Sequence, residues 1–367
     1  MFTVSPVVEA SLRRVLASRV VTALASPRPV DHYLGALHPL WRVDEVRATV
    51  LGLRSETADM VTVALAPNAA WRGFQAGQHV RLGVAVDGVR RIRCYSPTNA
   101  PRDGDRRVDL TVKRHPGGVV SGFVHERLRA GAVVTLSQAT GDFVLPAVPP
   151  PHVLLVSGGS GITPVVSMLR TLLDGGHAGR VDLVHFARRR ADVPFARELA
   201  QRAAEHAAFH LHVVLTGEPG ASLTGRCEPA LLDAAVPAWR DAEAWVCGPP
   251  GLIAAVQAAR GDARCRRALH VERFVLPPAP AGAPGGVVEF AASGRRVASD
   301  GRTLLVQAEA AGLAPASGCR IGICQTCRCR KLRGTVRDVV TGALSTEPDV
   351  PIRACVSVPV GDVAVAL

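Results

Sequence analysis

The sequence predicts a multidomain chain: a small antiparallel β-barrel, then an α/β domain on a parallel sheet, then a compact C-terminal unit around a cysteine-rich loop. Three observations carry that expectation. Between about residues 45 and 147, short runs such as MVTVALAP, HVRLGVAV and RVDLTVKR alternate apolar and polar positions, with Gly, Pro and Asn between them. Strands with one buried face read this way, and a series of them punctuated by turns reads as a small barrel. From about 148 to 275 the rhythm changes to apolar strands followed by helical stretches, in HVLLVSGG, VDLVHFARR, FHLHVVLTG and EAWVCGPP. That alternation predicts a parallel sheet. Finally, LPPAPAGAPGG (276–286) is too rich in Pro and Gly to pack as helix or strand and reads as a linker, which sets residues 287–367 apart.

Residues 1–44 precede the barrel. Val8, Leu12, Val15 and Leu16 recur there at helical spacing with arginines alongside, the pattern of an amphipathic extension. Arg13, Arg14 and Arg19 interrupt the apolar positions, which is unlike a secretory signal. The longest apolar stretches fall far below the ~20 residues needed to cross a bilayer. Nine cysteines, unevenly spread, do not make a secreted disulfide scaffold. A reduced, cytoplasmic chain is the expectation. The formal net charge of +12 is nearly all arginine, since Lys113 and Lys331 are the only lysines. Such a field favours anionic partners: nucleotides, acidic proteins or an anionic membrane surface at the inner face. A compositional bias toward Arg, Ala, Gly and Pro accounts for the excess equally well. Sparse aromatics and the absence of a binding motif argue against nucleic acid.

The thiols are the most specific signal. Cys319-x4-Cys324-x2-Cys327, with Cys355 further on, is the plant-type spacing of a 2Fe-2S cluster. Two irons need four converging thiolates, so three come from one curled loop and the fourth from a strand returning beside it. Gly318 and Gly322 allow the curl and aim N–H groups at the sulfurs. A zinc site would use paired Cys-x2-Cys hooks at separated positions. Cys329 alternates with Arg328 and Arg330 on an outgoing strand, so it is expected to point away from the irons. Arg320, Arg328, Arg330, Lys331, Arg333 and Arg337 form an expected basic set around the cluster.

Two further stretches join a strand to a turn. RCYS places Arg93 and Tyr95 on one side of a strand, a guanidinium and a ring facing the same groove. VLLVSGGSGITP runs from a buried strand into a glycine turn and a helix, where Gly159 and Gly161 permit phosphate to approach backbone amides.

On these residues the chain resembles the ferredoxin-NADP reductase family of flavoproteins over 45–275, and a plant-type ferredoxin, a β-grasp domain, over 287–367. The order of modules is similar to that of phthalate dioxygenase reductase. The stretches HPLW (38–41), WRGFQAGQHV and VDGVRRIRCYSPTN are similar to reductases paired with acyl-CoA desaturases in actinobacteria.

The resemblance implies the site residues. For the flavin they are Arg93, Tyr95 and Ser96, whose hydroxyl would lie near N5. Val112 and Lys113 then lead to the turn with Gly118, Val119, Val120 and Ser121, whose amides would hold the pyrophosphate. Gly159, Ser160, Gly161, Ile162, Thr163 and Pro164 would hold the pyridine nucleotide, with Cys247, Gly248 and Pro249 against the rings. Arg188, Arg189 and Arg226 suit a 2′-phosphate, and no acidic residue directly follows that strand, so NADPH is favoured over NADH. Glu272 and Phe274 would lie close to the flavin. Ser96, Cys247 and Glu272 are thus the catalytic candidates. FAD is the expected flavin, with FMN the alternative. The implied activity is electron transfer from NADPH through FAD and the cluster to a protein acceptor. That acceptor is a membrane di-iron acyl desaturase first, and a soluble Rieske oxygenase, monooxygenase or cytochrome P450 second. A slow redox sensor is a further alternative.

Overall fold

A computed structural model of the chain describes residues 15–16, 18–102, 104–218, 223–236, 238–261, 265, 267–274, 285–322 and 325–367. Cys324, Val8, Leu12 and most of the expected linker therefore lie outside the described residues. The chain divides into two compact units, Met1–Glu272 and Arg273–Leu367.

The first unit opens with two short helices, α1 (Arg19–Ala25) and α2 (Val30–Leu37). Asp31 on α2 accepts from the Val43, Asp44 and Glu45 amides, and so pins this segment to the start of the barrel. Six strands follow: β1 (Val46–Thr57), β2 (Met60–Pro67), β3 (Val80–Val86), β4 (Val89–Tyr95), β5 (Val108–Lys113) and β6 (Val133–Leu136). One helix, α3 (Val119–Glu126), interrupts them. The sheet order is β4-β3-β6-β1-β2-β5 with antiparallel neighbours throughout. Val46, Ala48 and Val50, Val80, Leu82 and Val84, and Val108, Leu110 and Val112 are all buried, which is the period-2 alternation of the sequence turned inward. A Pro97–Leu110 bridge and the Thr98 N–H donating to the Asp109 carbonyl (2.8 Å) close the barrel where β4 ends beside β5.

The second sheet is parallel, in the order β11-β10-β7-β8-β9. Its strands are β7 (His152–Gly158), β8 (Arg180–Ala187), β9 (Phe209–Leu215), β10 (Glu243–Cys247) and β11 (Leu269–Glu272). The helices are α4 (Ile162–Asp174), α5 (Ala196–Glu205), α6 (Pro229–Ala235) and α7 (Pro250–Arg260). The first strand in the chain, β7, lies between β8 and β10, so the winding reverses there. Ligands of open parallel sheets bind at the carboxyl ends beside such a reversal. Under α6 and α7 the strands contribute Leu154, Val156, Val184, Ala244 and Val246 to a core completed by Leu232, Ile253 and Val256.

The second unit is a mixed sheet, β13-β12-β17-β14-β15, with β16 also on β14. It comprises β12 (Val287–Phe290), β13 (Arg295–Ala298), β14 (Arg328–Asp338), β15 (Leu344–Ser345), β16 (Val350–Arg353) and β17 (Ser357–Val365), with helix α8 (Leu304–Ala310) supplying Leu304, Leu305 and Ala308 to its core. Lys331, expected in a basic patch, is instead buried, and its Nζ donates to the carbonyls of Gly334, Ser345 and Glu347 at 2.6–2.9 Å. A buried ammonium persists only with its donors satisfied, and here it ties β14 to the segment that follows it. The rest of that patch is largely neutralised: Arg320 pairs with Glu309, Arg330 with Asp349 and Arg333 with Glu289. Arg328 and Arg337 stay exposed. Among the described residues no helix is long and apolar enough to cross a membrane.

Candidate functional site

At the end of β4 the register sets Arg93 opposite Leu82 and Tyr95 opposite Val80. Tyr95 packs on the barrel core, and burial pushes its phenol up to about 12. The next residue, Ser96, is 2% exposed, and its Oγ has no hydrogen-bond partner among the described residues. A buried hydroxyl left unpaired costs ~1–3 kcal/mol, so the fold holds one polar atom in reserve for a ligand. That orphan atom fits a flavin beside Tyr95.

The second element is the turn before α3. Gly117 has φ +71° and Gly118 is the N-cap, where an added Cβ would come 2.4 Å from Ser121 Oγ. The Ser121 hydroxyl is used within the turn, accepting from the His115 N–H (3.2 Å) and donating to the Gly118 carbonyl (3.3 Å). Its side chain therefore shapes the turn, and only its amide, with those of Val119 and Val120, is left for an anion at the helix N-terminus. A cavity of about 320 Å³ opens here, lined by Val86, His115, Gly117, Gly118, Phe123 and Arg127 among others. Its size and mixed lining suit part of a dinucleotide. Val112, at the end of β5, is buried and gives its carbonyl to the His125 ring (2.9 Å), while Lys113 pairs with Asp59 (3.2 Å).

In the parallel sheet, β7 passes through a single 3₁₀ turn, Gly159–Gly161, into α4. Gly159 has φ +54°, and the Thr163 hydroxyl donates to the Ser160 carbonyl (3.1 Å). An added Cβ on Gly161 would lie 2.1 Å from the Cys247 carbonyl oxygen, and one on Gly248 would lie 3.0 Å from the Gly158 nitrogen. The two turns are thus packed backbone on backbone, which brings Gly159–Gly161 and Cys247–Gly248 together. Both turns lie at the carboxyl ends of neighbouring strands, with Ser157 paired to Cys247.

Register carries this row further. Glu272, Cys247, Ser157 and His185 lie side by side across β11, β10, β7 and β8. Cys247 is fully buried, and desolvation, with Glu272 adding to it, holds its thiol well above the ordinary value. A thiol held neutral in this way is no nucleophile. Sequence reasoning missed the Ser157–His185 pair, whose Oγ and Nδ1 are 2.9 Å apart. The signal was a histidine in a buried strand, two positions from its carboxyl end. Burial first, then Lys113, lowers His185 to about 4, and its Nε2 has no partner among the described residues.

The three arginines differ. Arg189 forks onto Asp192 (3.1 and 3.2 Å), an acid that the sequence reading, looking only at the strand end, did not weigh. Arg188 and Arg226 are exposed. Gly217 N–H donates to the Arg188 carbonyl and Gly225 N–H to the Leu215 carbonyl, so both arginines stand at the carboxyl end of β8 and β9. They fit a phosphate there. Phe274 belongs to the second unit.

In that second unit three of the four cysteines are described. Cys327 and Cys355 are buried, and their sulfurs are in hydrogen-bonding contact, with Cys319 close enough to act on Cys355 electrostatically. The Gly322 N–H points at the Cys355 sulfur. Contact with Cys327, then burial, drives the Cys355 thiol up, the response expected where thiols converge without a cation. Positive φ falls on Arg320, Gly322 (+83°) and Gln325, and not on Gly318, so the curl is made by Gly322 and two strained neighbours. Arg353, also missed from sequence, donates to the Gly322 carbonyl and to Asp338, both at 2.7 Å, and fixes the loop from the Cys355 side. Among the described residues no three His, Cys, Asp or Glu side chains close around an ion by themselves. The converging thiols and the inward N–H fit an iron–sulfur cluster; Cys324, the fourth cysteine of the spacing, lies outside the described residues. Cys329 lies on β14 between the exposed Arg328 and Arg330, packed into the core, and its thiol is pushed up to about 11 by burial first and by Cys327 second.

Comparisons with known proteins identify the three domains. Residues 53–145 match the family described as oxidoreductase FAD-binding domain, 155–258 the oxidoreductase NAD-binding domain, and 289–360 the 2Fe-2S iron-sulfur cluster binding domain. An NADPH oxidoreductase of Mycobacterium tuberculosis is 40% identical over 95% of this chain and 90% of its own length. A glycine betaine monooxygenase reductase subunit of Chromohalobacter salexigens is 31% identical over 80% of this chain and 87% of its own. Among solved structures, phthalate dioxygenase reductase superposes with a TM-score of 0.58 at 24% identity, over 88% of this chain and 98% of that one, which shows a shared fold.

Proposed function

Because the chain belongs to the ferredoxin-NADP reductase family of flavoproteins, in the branch with a C-terminal plant-type 2Fe-2S domain, we propose that it is the NADPH-dependent reductase component of an oxygenase-type system. It is an NAD(P)H oxidoreductase that carries FAD and a 2Fe-2S cluster. A flavin bound here would supply the conversion between the two-electron chemistry of reduced nicotinamide and the one-electron chemistry of an iron–sulfur cluster.

The chain's own residues align and insulate these groups. Tyr95 offers a ring and Ser96 a hydroxyl at the flavin face, while the amides at the start of α3 and the turn Gly159–Pro164 take the two pyrophosphates. Arg188 and Arg226 are assigned to a 2′-phosphate, and Arg189, held by Asp192, to shaping that loop. Cys247 and Gly248 line the nicotinamide, with Glu272 beside them. Cys319, Cys324, Cys327 and Cys355 ligate the cluster. The observation that carries the site is the buried Ser96 Oγ, unpartnered among the described residues, directly after Tyr95 at the end of β4.

For the acceptor, we favour a membrane di-iron acyl desaturase, which the HPLW and WRGFQAGQHV stretches support. Exposed Val20, Leu24, Leu37 and Trp41 on and after the first helices support contact with a membrane surface. The name of the Chromohalobacter relative, a monooxygenase reductase subunit, supports a monooxygenase as the second reading. Reconstitution with each acceptor and NADPH decides: product formed with the desaturase in vesicles supports the first, and product only with a soluble oxygenase rejects it. Binding to anionic vesicles that is absent at low and high salt alike rejects the membrane contact.

A further inference from the structure

The loop that follows Ser96 and the helix that follows the glycine turn are lashed together, side chain to backbone. Ser167 Oγ donates to the Asn99 carbonyl (2.7 Å), and Arg170 Nη1 donates to the Thr98 carbonyl (2.5 Å). The two donors stand three positions apart on α4, so one face of the helix meets two successive carbonyls. On its other side the loop is equally fixed. Thr98 N–H donates to the Asp109 carbonyl (2.8 Å), and Asn99 Oδ1 accepts from the Asp109 N–H (2.9 Å), which anchors it to β5.

Arg170 is itself held on three sides and is largely buried. Glu198 on α5 accepts from its Nε (2.9 Å) and from its second amino group. The Phe195 ring lies under the guanidinium, 4.9 Å from Cζ. A planar fork can give two parallel N–H groups from separate nitrogens to a carboxylate and a third to a carbonyl on another side, a spread that the single nitrogen of a lysine does not have. A second strap runs parallel to the first. Arg102, on the same barrel loop, pairs with Asp174 (3.1 Å); Asp174 pairs with Arg202 (2.8 Å), and Arg202 with Glu198 (3.0 Å). The charges close a ring that begins and ends on the barrel loop.

We propose that Arg170, assisted by Ser167, is a positioning residue that fixes Ser96 against the pyridine-nucleotide turn and thereby sets the alignment of the two rings. It acts through Thr98 and Asn99 and touches neither cofactor. The proposal rests on the assignment of Ser96 to the flavin and of Gly159–Pro164 to the nucleotide. Phosphate and amide contacts at the two turns would set affinity, and neither Ser167 nor Arg170 belongs to those turns. Ring alignment is the quantity the brace controls, and a displacement of about 1 Å can cost about a hundredfold in rate.

Single-turnover bleaching of the flavin by NADPH, without oxygen, separates the limiting rate from the apparent Kd. Arg170→Met keeps an unbranched stem and loses every donor. It is expected to lower the limiting rate by about tenfold or more, with Kd for NADPH and FAD content within about twofold of wild type. Arg170→Lys, which can reach Thr98 but cannot fork onto Glu198, is expected to fall between. Should Arg170→Met fail to fold or to retain FAD, Ser167→Ala and Glu198→Gln each remove a single contact and are expected to lower the limiting rate severalfold in the same direction. FAD-loaded variants that bleach at the wild-type limiting rate overturn the proposal, as does a loss that appears only in Kd. A wild-type flavin that NADPH does not bleach at all overturns the site assignment beneath it.

Discussion

In the unit that ends at Glu272 the site consists of amides at two glycine turns and of single polar atoms buried without partners. In the unit that begins at Arg273 the assigned site is thiols, from one curled loop and from the segment with Cys355 that returns beside it. The first kind of site spreads its hold over many modest contacts, so losing any one is a graded injury. The second concentrates its hold in four bonds to iron, and losing any one removes the cofactor. The two units also differ in what they bury. The first contains every histidine of the chain, including fully buried His185, while the second has none and buries an ammonium, Lys331, instead.

The sharpest test of the contrast is Cys355→Ser beside Cys329→Ala. The first should abolish iron and labile sulfide and stop electron delivery to a one-electron acceptor, while NADPH still bleaches the flavin. The second should keep the cluster and cost only the packing of a small buried side chain. Iron analysis, paramagnetic resonance and unfolding curves check both. Retention of a full cluster by Cys355→Ser would break the ligand assignment.

Acid should separate the units next. His185 is neutral in the fold because burial lowers it from 6.5 to about 4. The unfolded chain takes up a proton as pH falls through 6.5, and the native histidine does not until about 4. Its contribution is therefore complete above pH 6.5 and is lost between 6.5 and 4, amounting to about 3 kcal/mol. Asp182 is shifted the same way: His152, His212 and Arg180 hold its carboxyl well below the usual range despite burial, so its stabilisation is lost below about pH 4. Urea unfolding followed by Trp245 fluorescence should show the first unit weakening across that window. His185→Gln should flatten the upper part of the slope; an unchanged slope would contradict the buried neutral histidine.

Smaller effects belong to the turns. Gly161→Ala forces a methyl to within 2.1 Å of the Cys247 carbonyl and should cost about 1–3 kcal/mol, with NADPH affinity falling alongside. Calorimetry and titration measure both. Ser96→Ala should leave the cofactor-free protein as stable as before or slightly more so, since it removes an unsatisfied hydroxyl, yet slow flavin bleaching by about tenfold. A large loss of stability would mean that Ser96 has a structural partner.

The same contrast explains what the sequence made legible. The cysteine spacing was readable because three ligands fall within one loop, and iron chemistry constrains their separation. The glycine turns were readable because strand, turn and helix are contiguous. Lys331 was misplaced: its charge put it with the arginines, and nothing local announces that Gly334, Ser345 and Glu347 will aim three carbonyls at it. Arg189 was read from the strand end alone, before the turn brought Asp192 back to it. The brace was invisible for the same reason. Its bonds join residues 68 and 72 positions apart, through main-chain carbonyls that carry no residue identity. Local pattern reports elements and contiguous motifs; it cannot report which backbone oxygen a distant side chain will meet.

Anaerobic titration of the purified protein with NADPH, followed by absorbance, tests the central claim that both units serve one electron path. The account predicts flavin and iron–sulfur absorbance that both bleach with NADPH, the cluster signal falling in step with added reductant. A flavin that bleaches while an intact cluster, reducible by dithionite, stays oxidised would contradict it.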